Sequence, residues 1–160
     1  MRALIRPATR DDLPAVSRLL GETWHATYDD LFGADAVQAF TGRWHNVEAL
    51  SWALGKRHHA FLVAAEGDLI LGTASAVWRD GVTEIIRLYV GPAVQGRGLG
   101  HHLLAAACAA LPAPTLLRLT VEARNTGARH FYETHGFRWT GGTSKDALGE
   151  ALIYEAPGAS

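Results

Sequence analysis

Residues 88–102 of this 160-residue chain have types and spacings suited to gripping phosphate. An apolar run ends at Leu88, Tyr89 and Val90, and Gly91 and Pro92 follow; then Gln95, Gly96, Arg97, Gly98, Leu99 and Gly100 lead into His102, Leu103, Leu104 and three alanines, which read as a helix. A strand that passes through glycines into a helix aims unpaired backbone N–H groups at one point, where the positive end of the helix dipole also lies. Other phosphate loops are spaced differently. A P-loop needs Lys and then Ser or Thr after its last glycine, where this chain has His101 and His102. A dinucleotide loop wants a third glycine at the position held by His101, although Glu122 stands near where its ribose-binding acid belongs. The alternative for the segment is a glycine-rich turn that only joins a strand to a helix.

Downstream, a second group of residues follows a helical rhythm. Asn125 is a good helix N-cap, Ala128 allows close packing, and Gly136 suits a left-handed C-cap with Phe137 entering the next strand. Tyr132 falls one turn after Ala128 on the same face, which brings a phenol beside the cradle. A lone tyrosine there reads equally as core or rim. The two groups together, Gln95, two residues, Gly98, one residue, Gly100, and then Asn125, two residues, Ala128, three residues, Tyr132, three residues, Gly136 and Phe137, resemble the acyl-CoA pyrophosphate loop and the last motif of the GNAT acyltransferase superfamily.

The resemblance covers essentially the whole chain in element order. It implies a mixed α+β domain spanning residues 1–160, with a sheet of six to seven strands, helices on both faces, and parallel strands 4 and 5 splayed into a cleft. It also implies acetyl-CoA as co-substrate; from the histidine spacing, no metal is expected. The diphosphate would lie on amides of Gln95, Gly96, Arg97, Gly98, Leu99 and Gly100, and the pantetheine arm would pair with the backbone of Leu88, Tyr89 and Val90 like an added strand. Asn125 and Tyr132 would complete the cofactor site. Arg97 either adds charge to the cradle or points to solvent.

Moving an acetyl group from a thioester to an amine requires a free amine, a stabilised carbonyl oxygen and a proton for the thiolate. An alkylammonium with a pKa of about 10.4 is free base about once in 2,500 molecules at pH 7, a handicap of roughly 4.6 kcal/mol. Glu84 is the candidate base: two-residue alternation puts it on the face of Leu88 and Val90. Its alternatives are a solvated residue just past the turn at Gly81, with an ordered water doing the work. The resemblance makes Tyr132 the acid for the thiolate, and a backbone N–H near Tyr89 or Val90 the oxyanion donor. Trp24 and Tyr28, with Trp44 and Trp52, either line an acceptor pocket or belong to the core; Asp29 and Asp30 either attract an amine or are solvated loop charges.

Composition narrows the partners. Fifteen Lys and Arg against sixteen Asp and Glu give a net charge of −1, against a nucleic-acid partner. Apolar residues make up 48% and charged residues 19%, a globular balance without a membrane-length apolar run, and the start is too soon interrupted by Pro7 to be a signal peptide. The expected location is cytoplasmic. The one cysteine, Cys108, reads as a small buried hydrophobe. Eight histidines invite a metal, but His58–His59 and His101–His102 are adjacent pairs whose side chains are expected to diverge.

The function expected is transfer of an acetyl group from acetyl-CoA to a primary amine of a small molecule or a peptide N-terminus, with a possible homodimer. The alternatives are a non-catalytic acyl-CoA sensor, a protein-lysine acceptor, or a longer acyl group.

The elements that must position these residues follow from periodicity. Residues 3–6 read as a strand. Thr9 and Asp12 form a capping box opening a helix to about residue 22, after which residues 24–32 are less regular. Helices are expected at 35–44 and 47–54. Strands at 61–65, 69–78 and 83–90 are joined by turns at Gly67 and at Asp80 with Gly81. A helix at 99–111, a strand at 116–122, a helix at 125–135 and a hairpin of 137–140 with 151–154 complete the chain. The resemblance implies that acceptor selectivity lies in residues 24–54 and 141–150.

Overall fold

The computed structural model describes residues 3–145 and 148–158. The strands are β1 (Leu4–Pro7), β2 (His59–Glu66), β3 (Leu69–Arg79), β4 (Val82–Val90), β5 (Leu116–Glu122), β6 (Arg138–Lys145) and β7 (Glu150–Pro157). The helices are α1 (Leu13–Phe32), α2 (Ala34–Trp44), α3 (Val47–Ser51), α4 (Leu99–Ala109) and α5 (Thr126–Thr134). The seven strands form one mixed sheet in the order β1-β2-β3-β4-β5-β7-β6.

The turns follow local chemistry. Arg79 pairs with Val82 across a two-residue loop in which Asp80 (φ 52°) and Gly81 (φ 86°) both take positive φ, as a type I′ hairpin demands. Asp12 closes the entry to α1: its carboxylate accepts from the Thr9 backbone N–H at 2.7 Å and pairs with both terminal nitrogens of Arg6.

Pleat alternation sorts the sheet into two cores. Ala60, Leu62, Ala64, Ala74 and Ala76 pack under α4, whereas Phe61, Val63, Ala65 and Ile70 pack under α1 and α3. Helices therefore cover both faces, as expected.

Helix α1 departs from the sequence expectation. It does not end near residue 22 but runs unbroken to Phe32, and Gly33 (φ 87°) stops it. Trp24, Tyr28 and Phe32 recur every fourth residue, so the aromatic stretch is the helix's own buried stripe. The final hairpin is also longer than expected, and its second strand, β7, inserts between β5 and β6.

The sheet is nearly split at its centre. β4 and β5 pair in parallel only at Val82 with Leu116, Thr83 with Leu117 and Glu84 with Arg118. Beyond that vertex the strands part, leaving the β5-side edge of β4 without a strand partner up to Val90. A bulge on β4 adds a second change: Arg87 faces Ser75 and Ile85 faces Ala76, so Ile86 is the extra residue. It reverses the alternation, so Glu84 does not share the face of Leu88 and Val90. Glu84 lies instead with Arg87 and Tyr89, on the α1 side.

Among the described residues, no helix is long and apolar enough to cross a membrane.

Candidate active site

The wedge between β4 and β5 opens into two cavities that meet. One, of about 600 Å³, runs along the end of β4, the glycine loop, the start of α4 and the inner face of α5. The other, of about 320 Å³, lies between β4, β5 and the aromatic faces of α1 and α2. Tyr28, Leu88, Tyr89, Asn125, Ala128 and Tyr132 line both, which makes their meeting point the centre of the site.

The glycine loop divides its labour. Gly96 (φ 84°) and Gly98 (φ 78°) hold left-handed conformations, and a Cβ on either would meet no atom within 4 Å. Their role is to turn the chain so that α4 starts with its first-turn amides directed at open space. Gly100 answers to packing instead: a Cβ there would stand 3.3 Å from the Phe131 ring. Gln95 donates its side-chain N–H to the Val90 carbonyl at 3.0 Å, which ties the loop back to β4. Arg97 is exposed and does not line the cavity.

Helix α5 aims the phenol. Asn125 caps it by accepting from the Ala128 N–H at 3.1 Å and donates from Nδ2 to the Tyr28 hydroxyl at 3.0 Å. Gly136 (φ 89°) ends the helix turn and releases buried Phe137 into the core. Tyr132 rests against Phe131 and Phe137, with ring centroids 5.3 and 5.7 Å away. Burial, reinforced by Tyr28, pushes its hydroxyl well above the ordinary phenol range, so it keeps its proton across physiological pH. At the mouth, His135 Nδ1 lies 2.8 Å from the Phe131 carbonyl, and His101 Nδ1 and His135 Nε2 share a hydrogen bond of 3.0 Å. The rings of His101 and His102 lie 5.3 Å apart, less divergent than their adjacency suggests.

Several expected residues stand elsewhere. Glu84 is exposed at the vertex and lines neither cavity. Trp52 is 66% exposed beneath Lys56, away from both cavities. Asp29 belongs to α1, not a loop, and pairs with His25 at 2.6 Å. Trp24, Tyr28 and Trp44 do line the smaller cavity, as does Leu148 from the 141–150 segment, of which Asp146 and Ala147 lie outside the described residues.

Two basic residues of that cavity were not singled out from the sequence. Arg87 is half-buried, and burial lowers its pKa. His45 is 5% exposed, has a buried Nδ1 without a hydrogen-bond partner among the described residues, and is pulled down to about 4 by burial and by the charge of Arg87. The available signal for Arg87 was a cation set inside an apolar strand, between Ile86 and Leu88.

The profile of the acetyltransferase (GNAT) family matches residues 16–137, and the chain belongs to that family. Among solved structures, the chain is similar to the PaiA N-acetyltransferase of Thermoplasma acidophilum in complex with coenzyme A, with a TM-score of 0.84, 21% identity, and coverage of 98% of this chain and 99% of that one. It is similar to the ribosomal-protein-S18-alanine N-acetyltransferase of Escherichia coli at a TM-score of 0.74 and 19% identity, over 99% and 95% of the two chains. The apo-form of YjaB from Escherichia coli gives a TM-score of 0.74 and 24% identity, over 99% and 100%. A comparison with curated protein sequences returns no match. At these identities the structural likenesses speak to the fold, which the sheet order and the parallel β4–β5 pair share.

Proposed function

We propose that this acyltransferase moves an acetyl group from acetyl-CoA to a primary amine of a small molecule or peptide N-terminus by direct attack on the thioester. The observation that carries the reading is the meeting of two cavities at Tyr132 and the free edge of β4, one shaped for a long cofactor and the other for a compact acceptor. Acetyl-CoA supplies the activated acyl carbon.

The residues fit that cofactor. The amides of Leu99, Gly100 and His101 at the start of α4 have no intrahelical acceptors and face the open space ahead of Gly96 and Gly98, which suits a diphosphate. The unpaired edge of β4 at Leu88, Tyr89 and Val90 offers main-chain groups to an extended amide-bearing arm. A backbone N–H on that edge stabilises charge growing on the carbonyl oxygen.

Tyr132 holds the proton that the departing sulfur takes as its bond to the acyl carbon breaks. The attacking nitrogen loses its own proton to water in the smaller cavity. Glu84, at the vertex of the wedge, accepts that proton at most through water, since it lines neither cavity.

The test is thiol release from acetyl-CoA over a panel of primary amines, together with calorimetry of acetyl-CoA binding. Turnover with one or more amines supports the reading. Binding without turnover on any amine makes the chain an acyl-CoA sensor, and absence of any heat with CoA thioesters removes the cofactor assignment.

A further inference from the structure

The smaller cavity carries an uncompensated positive charge. Arg87 lines it and makes no hydrogen bond or ion pair with any described residue. The bulge at Ile86 puts it there, because strict alternation would have turned its side chain to the opposite face, with Ile85. The acidic residue on the cavity wall, Glu122, is already engaged: its carboxylate accepts from the Arg124 backbone N–H at 2.6 Å and from Arg124 Nε at 3.1 Å. His45, which lines the same cavity, is held down to about 4 and carries no negative charge, and buried Tyr89 keeps its proton. The Arg87 nitrogens are not among the buried polar atoms that lack a partner, so the guanidinium is open to the cavity and available to an anion bound there. Arg87 lines only the smaller cavity, so the cofactor's phosphates in the larger one are not its match.

We infer that the acceptor amine also carries a carboxylate, which Arg87 receives while the aromatic walls hold the rest of the molecule. The guanidinium presents a donor fork to a planar anion, and Trp24, Phe40 and Tyr28 offer flat apolar surface beside it. The substrate class is therefore that of small amino acids, with the carboxylate as the specificity handle.

This inference rests on the acetyl-transfer reading above, and the experiment separates the two. Acetyl transfer is measured with phenylalanine, tyrosine, β-alanine and γ-aminobutyrate, each beside its primary amide, alongside the melting shift caused by acetyl-CoA. The expected result is that at least one acid is preferred over its amide by about 10- to 100-fold in kcat/KM, the scale of one charge-assisted pair. In R87Q the acid-to-amide ratio falls to near one, and in R87K part of it survives. Acids and amides transferred equally well by the unaltered chain, or a ratio untouched by R87Q, overturn the carboxylate handle while leaving acetyl transfer intact. If acetyl-CoA neither shifts the melting temperature nor is consumed with any amine, the transferase reading falls and this inference with it.

Discussion

The Asn125 side chain donates a 3.0 Å hydrogen bond to the Tyr28 hydroxyl while its carbonyl oxygen accepts from the Ala128 N–H. One amide thus joins the first turn of α5 to the last third of α1, at the point where the two cavities meet. Asn125→Ala removes both bonds. The lost cap costs about 1 kcal/mol, and the lost hydrogen bond adds about 0.5–1.5 kcal/mol. Urea unfolding is expected to show a loss of about 2 kcal/mol, with a fall in kcat because α5 carries Tyr132. Tyr28→Phe keeps the cap and removes the bond from Asn125, so its stability loss is expected to be smaller. Equal losses from the two substitutions would contradict this division.

The glycines of the loop predict separable failures. Gly98 is left-handed with open space around its Cβ position, so Gly98→Val costs about 1–2 kcal/mol in backbone strain and fills the space in front of the α4 amides. Acetyl-CoA binding is expected to disappear while the fold persists. Gly100→Val drives a side chain into Phe131, 3.3 Å away, and loosens α4 from α5 at a cost of about 1–3 kcal/mol. Calorimetry and thermal melting on the two variants check the contrast. Micromolar acetyl-CoA binding by Gly98→Val would remove the cradle from the mechanism.

The parts of this arrangement readable in the sequence are those set by local chemistry. The Asp80–Gly81 turn, the Asn125 cap, Gly136 and the strand–glycine–helix passage each depend on a few neighbouring residues, and the structure places them where those residues dictate. The face of Glu84 was not readable, because it depends on the bulge at Ile86, and two consecutive isoleucines fit an even strand as well as a bulged one. The full length of α1 was obscured for a different reason. Its second half carries His25, Thr27, Asp29 and Asp30 between the aromatics, so the buried stripe is narrow and the rest of the helix is polar. His45 and Arg87 meet only through tertiary packing of α2 over β4, which no spacing along the chain encodes.

The Arg6–Asp12 pair sets an acid limit on stability. Hydrogen bonds from Arg6, with help from Thr9, hold the Asp12 carboxyl at about 2 against an ordinary 3.8. A depressed folded pKa stabilises above the unfolded value, and that stabilisation is lost as pH falls from about 4 through about 2. Because Arg6 is 32% exposed, solvent screening trims the contribution to about 1–2 kcal/mol. Asp12→Asn is expected to lower unfolding stability by that amount at pH 7 and to match the unaltered chain near pH 2. A deficit of the same size at both pH values would assign the effect to packing rather than to charge.

Tyr132 stands at the meeting point of both cavities, and burial keeps its hydroxyl protonated. A thiol with a pKa of about 8.5 is a fair leaving group, so supplying its proton is expected to contribute less than freeing the amine. Tyr132→Phe leaves the ring's packing against Phe131 and Phe137 in place and removes only the hydroxyl. Turnover is expected to fall about 10- to 1,000-fold, at and just below the usual range for a general acid, while the dissociation constant for acetyl-CoA changes little. The phenol's raised pKa also bears on the pH profile: no loss of rate attributable to Tyr132 is expected as pH climbs from 7 to about 10, the ordinary tyrosine value. Steady-state rates across that range, with calorimetry for the cofactor, make the measurement. An unaltered kcat in Tyr132→Phe would take the tyrosine out of the chemistry and leave it a wall of the cleft.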